Sequence, residues 1–243
     1  MAEETNSKVL QRLVEDLIAA HGQNLASITV YGSTAVEETT DDRAHHNVLV
    51  VLRRVAVEDL QRSVEPERVW TKARQPLPVY FSLDELQRAA DVFPIEFLQM
   101  QKARRVLHGS DPLELVETSD ANLRHQLEYE LRTKFLQLRR LYFPASQSAE
   151  KLAALMVESL SSFAALFRAV LMLRGREVPV AKRDAIHATA NELGLDVAPF
   201  DRILELSGSP KAKLNEAEAN ELFGAYLTQL ERVIDAVDQI PGH

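Results

Sequence analysis

No cysteine occurs anywhere in the chain. Disulfides and thiolate-ligated zinc are therefore excluded, and nothing in the thiol chemistry points to secretion. Positive charge is short as well: 28 Lys and Arg stand against 36 Asp and Glu, a formal net charge of −8. Binding to nucleic acid requires clustered cations that neutralise phosphates, so a nucleic-acid partner is disfavoured. The local pairs Arg53-Arg54, Arg104-Arg105 and Arg139-Arg140 read as solvated helix faces or strand ends. A long uncharged apolar run is also missing. The nearest to one, Leu152 to Leu173, is interrupted by Glu158, Arg168 and several serines, which suits a buried helix better than a membrane span. The start, Met1-Ala2-Glu3-Glu4, is acidic and leads into an amphipathic helix, so no membrane partner and a cytoplasmic location are expected.

What is present is 46% hydrophobic residue in 243, enough for two small cores. Val9, Leu10, Leu13, Val14, Leu17 and Ile18 recur on one helical face, with Gly22 as a stop. Short β-branched runs at 27–31 and 47–52 read as buried strands, and 78–81 as a third. Residues 57–71 read as a helix interrupted at Pro66, and Ser82 with Glu85 as a capping box opening another. The apolar stretch Phe93 to Met100 reads as a fourth strand, with Val106 to Gly109 as a short strand ending in a turn. After Asp111-Pro112 the apolar period becomes helical throughout, with segments over 119–142, 148–173, 180–193, 199–206 and 215–240. Pro144 is expected to end the first of these. The fold class expected is α+β: a small α/β domain over 1–113 with a short mixed sheet, then an all-α helical bundle over 114–243.

Tyr31-Gly32-Ser33 closes the first strand, and the second begins at Asn47. A strand ending in Gly-Ser, a polar turn and a buried strand make a phosphate-binding device, because Gly admits close approach and the following amides and hydroxyl donate. Here the chain resembles the nucleotidyltransferase superfamily. That family's motif places two carboxylates, one apolar residue between them, on the second strand. In this sequence Ser33 is followed by Thr34 to Ala44, and the carboxylate positions hold His45 and Asn47. The family's third acid lies on a later strand between apolar residues, a pattern that Ile95-Glu96-Phe97 matches. The resemblance thus implies Gly32 and Ser33 as ligand-binding positions, Glu96 as a remnant third acid, and His45 and Asn47 where two acids are lost.

The chemistry gives those departures weight. Nucleotidyl transfer uses two divalent ions, one to activate the attacking hydroxyl and one to carry the triphosphate. Magnesium needs hard anionic oxygens, which an imidazole and an amide do not supply. A His45-Asn47-Glu96 set could hold manganese or zinc instead. Asp41 and Asp42 read as exposed turn acids, and His45-His46 as a loop pair lacking a third metal ligand. The second half is similar to helical domains that accompany this fold, including the HEPN type. The Arg-His spacing of HEPN ribonucleases is not reproduced, since Arg183 and His187, like Arg104 and His108, have only three residues between them.

Three readings follow from the resemblance. One is a degenerate nucleotidyltransferase that binds a nucleotide or a protein partner. Another is an active enzyme using a nucleoside triphosphate with magnesium or manganese to modify a small molecule, RNA or protein. The last is a structural homodimer with no ligand.

Overall fold

The computed structural model describes residues 6–36, 45–114, 116–208 and 214–240. The chain divides into two units, Met1–Ser119 and Asp120–His243.

In the first unit, helix α1 (Asn6–His21) leads into strand β1 (Leu25–Tyr31), and a single turn of helix, α2 (Ser33–Val36), follows it. Strand β2 (Asn47–Leu52), helix α3 (Val57–Lys72), strand β3 (Val79–Ser82), helices α4 (Leu83–Arg88) and α5 (Pro94–Lys102), and strand β4 (Arg104–Gly109) complete it. The sheet runs β3-β2-β1-β4, antiparallel except for the parallel β2–β3 pair. Its faces are covered separately. Ile28, Val48, Val50 and Leu52 pack with Leu13, Leu17 and Trp70, whereas Leu49 and Val51 pack with Leu86, Phe97 and Met100. Both faces of β2 are thus buried, which is why that strand is apolar without alternation.

Residues 93–100 are not a strand. Pro94 sits at the first position of α5, where its missing N–H costs nothing, and Ile95, Phe97 and Met100 are buried, the last two in the core beneath Leu49 and Val51. The sheet's fourth strand is β4 instead. Helix α3 also runs unbroken through Pro66. Its start is fixed by Asp59, whose carboxylate accepts from the Ala56 amide (3.0 Å) and from Asn24 Nδ2 (3.1 Å).

The second unit is helical throughout its described residues: α6 (Asp120–Ala145), α7 (Ala149–Leu173), α8 (Lys182–Leu193), α9 (Ala198–Gly208) and α10 (Glu216–Asp238). Helix α6 passes through Pro144 by less than a turn, since its end is already near. Ser148 and Asn215 cap the starts of α7 and α10, and Gly194 ends α8 in the left-handed conformation at φ 64°. Leu123, Leu127, Leu131, Leu138, Phe163, Leu166, Phe167, Val170, Phe223, Tyr226 and Leu230 are all buried, while Leu222 is half-buried. Helix α7 packs against α6, α8, α9 and α10, so it is the centre of the bundle. By length and composition it could cross a membrane, but half of its most apolar window lies inside the bundle.

Candidate functional site

The candidate site is built where β1 ends. Tyr31 pairs with Asn47 on β2 and with Arg104 on β4, so these three share a row and a face of the sheet. Gly32 then turns the chain with φ +85°, a left-handed geometry that favours glycine. Its amide donates to the Ala103 carbonyl at 2.8 Å, and its carbonyl accepts from Ala35 N at 3.0 Å, which opens α2 at Ser33. A Cβ at Gly32 would stand 3.3 Å from Asn47 Nδ2, so the Asn47 amide lies directly against this glycine. Thr34, buried, reaches back to donate to the His45 carbonyl at 3.5 Å.

Gly32, Ser33, His45 and Asn47 are thereby brought to one end of the sheet, with His45 and Asn47 both exposed. Glu96 is not presented as the sequence implied. It is exposed in the otherwise buried first turn of α5, where a negative charge complements the helix dipole, and no strand carries it. Glu37, Glu38, Asp41 and Asp42 fall outside the described residues.

Three residues emerge that local sequence reasoning did not assign to the site. Arg104 Nε donates to Asp111 Oδ2 at 2.8 Å, and its Nη1 donates to the Gln101 carbonyl at 2.5 Å. Asp111 Oδ1 also accepts from Leu113 N at 3.0 Å, so this carboxylate is engaged twice. His46 is the third. It is only 6% exposed, its backbone N–H donates to Gln75 Oε1 at 2.9 Å, and its ring lies tilted 6.5 Å from Trp70. Neither ring nitrogen of His46 has a hydrogen-bond partner among the described residues. Its pKa is lowered, first by burial and then by the nearby charges of Arg105 and His45. Burial also raises the phenol pKa of Tyr31.

The donor set does not fit magnesium. The strands read Leu-Ala-Ser-Ile-Thr-Val-Tyr, Asn-Val-Leu-Val-Val-Leu, Val-Tyr-Phe-Ser and Arg-Arg-Val-Leu-His-Gly, with no Asp or Glu in any of them. Among the described residues no three His, Asp or Glu side chains gather as a metal site. A hard divalent ion held at fixed positions on this sheet would lack anionic oxygens.

No protein-family model and no curated protein matches the sequence. Among solved structures, the chain is similar to spectinomycin adenyltransferase AAD(9) from Enterococcus faecialis, crystallised with ATP and spectinomycin. The TM-score is 0.58 at 13% identity, and the match covers 93% of this chain and 99% of that one. At that identity the likeness is one of fold: the chain has a nucleotidyltransferase-like α+β architecture with a helical second half.

Proposed function

We propose that this protein uses a nucleotidyltransferase fold to bind a nucleotide at the Gly32-Ser33 turn without transferring a nucleotidyl group efficiently. The observation that carries the reading is the absence of any carboxylate from the four strands of the sheet. Transfer depends on metal ions that stabilise charge developing on the triphosphate, and those ions need fixed anionic ligands. The nucleotide as ligand class is supported by the shared fold, since the similar adenyltransferase was crystallised with ATP. The left-handed Gly32 supplies the close backbone approach that a phosphate requires.

Isothermal titration with the four nucleoside triphosphates, with magnesium and with manganese, tests the reading. Saturable heat without product formation is expected for at least one of them. Turnover would favour the active-enzyme reading, and no binding to any of the four would favour a structural module.

A further inference from the structure

We infer that the turn after β1 holds the phosphates of its ligand directly, without a divalent metal, against a flank of N–H donors made of His45, His46 and Arg105. This deepens the nucleotide-binding reading above and rests on it. The register supplies the geometry. Arg105 pairs with Val30, and Val30 pairs with Val48, so Arg105 lies on the same sheet face as Val48 and His46. Gly32 is tied by its amide to Ala103, immediately before the two arginines. The turn is therefore bracketed by His45-His46 at the start of β2 and by Arg104-Arg105 at the start of β4. Of the two arginines, Arg104 is matched by Asp111 at 2.8 Å. Arg105 is exposed and makes no ion pair among the described residues, so its charge is available to a ligand.

The independent observation is His46. A ring this buried, set beside Trp70 on a residue whose backbone N–H is tied to Gln75, ordinarily has its polar atoms paired, and here both nitrogens lack partners among the described residues. A neutral imidazole still offers one N–H, and a phosphate oxygen is the acceptor that best suits a donor beside an arginine. The lowered pKa of His46 reports the same electropositive neighbourhood, since Arg105 and His45 follow burial among its causes. A sheet end rich in carboxylates needs a metal to bridge it to a polyphosphate. Among the described residues, the strand starts at this end carry imidazole and guanidinium in place of those acids, and the Asp111 carboxylate is taken up by Arg104.

The test titrates ATP and inorganic tripolyphosphate separately into the full chain in EDTA, then in excess magnesium. The single tryptophan, Trp70, reports binding by fluorescence beside His46. Both probes are expected to bind in EDTA, and magnesium should leave the affinity unchanged or weaken it by masking phosphate charge. Arg105→Gln, a surface change, should weaken both probes by about tenfold or more, and His46→Gln should do the same where circular dichroism shows it folded. Binding that requires magnesium, ATP binding without tripolyphosphate binding, or unchanged affinity in Arg105→Gln each overturns the inference. Magnesium-dependent ATP binding sinks this inference and leaves the nucleotide-binding reading intact, whereas no binding of ATP, GTP, CTP, UTP or tripolyphosphate under either condition removes both.

Discussion

The two units bury different chemistry. In the bundle, the buried polar residues among those described are Thr189 and Gln229, and both are bonded: Thr189 Oγ1 donates to the Ala185 carbonyl at 2.9 Å, and Gln229 Oε1 accepts from Asp196 N at 3.0 Å. The sheet unit buries His21, Thr34, His46, Asp59, Ser63 and Gln75, among others. Among the described residues it also holds most of the buried polar atoms lacking partners, namely His21 Nδ1, both His46 nitrogens and Glu67 Oε2, against Arg124 Nε in the bundle. Helix α3 shows the contrast within one element, because it hides Asp59 and Ser63 while exposing Val57, Leu60 and Val64. A helix selected for packing alone would do the reverse. Polar burial of this kind is costly unless satisfied; Asp59 and Ser63 are satisfied, by Ala56 N and Asn24 and by His21, so the cost falls on the unpartnered ring nitrogens of His21 and His46.

The comparison breaks most readily in the bundle. Phe167 is fully buried in α7 and meets Phe200 edge-on at 5.7 Å between centroids. Phe167→Ala should destabilise the helical unit by about 3–5 kcal/mol, read from the denaturation midpoint by circular dichroism. A loss under about 1 kcal/mol would mean the bundle is not the close-packed core it resembles.

A smaller effect is expected at the polar core of the sheet unit. Ser63 Oγ lies 2.8 Å from His21 Nε2, and both residues are buried. Ser63→Ala leaves the imidazole without that partner and should cost about 1–3 kcal/mol, monitored through Trp70 fluorescence. If the change is neutral, the hydrogen bond adds nothing and the contrast between the units is one of composition only.

The pH response sharpens the same point. Burial lowers the pKa of His21, opposed by the Asp59 charge, and burial lowers that of His46 as well. The unfolded chain then takes up protons at a higher pH than the folded one. Stability contributed by the neutral rings is fully present above the ordinary imidazole value near 6.5 and is lost as pH falls below it. The Trp70 urea midpoint should decline between pH 7.5 and 5.5, with the unfolding free energy falling by at most about 1.4 kcal/mol per pH unit for each histidine. A midpoint that rises on acidification would contradict the burial of these rings.

How much of this could be read in advance differs between the units for a physical reason. The bundle helices announce themselves because each buries one stripe, as Leu123, Leu127, Leu131 and Leu138 do, and because Ser148, Asn215 and Gly194 mark ends by local geometry. In the sheet unit the strands at 27–31, 47–52 and 78–81 were readable from their β-branched composition. The stretch 93–100 was not, since a short apolar run has no decisive period, and Pro94 was the signal that favoured a helix start over a strand. Glu96 lost its expected strand position with that change. Gly32, His45 and Asn47 lie together because their adjacency follows from a local pair of strands. Arg104 beside Tyr31, and His46 beneath Trp70 and beside Gln75, depend on pairings distant in sequence that no local pattern contains.

We propose that a nucleotidyltransferase-like fold here lacks, among its described residues, the metal-binding acids that transfer needs. The most direct test follows pyrophosphate release from each nucleoside triphosphate, with magnesium and with manganese, by the wild-type chain and by the double variant His45→Asp, Asn47→Asp. The account predicts no release by the wild type above a protein-free control, and magnesium binding gained by the double variant. Wild-type release that disappears in His45→Ala or Asn47→Ala would contradict it and show a working enzyme built on an altered site.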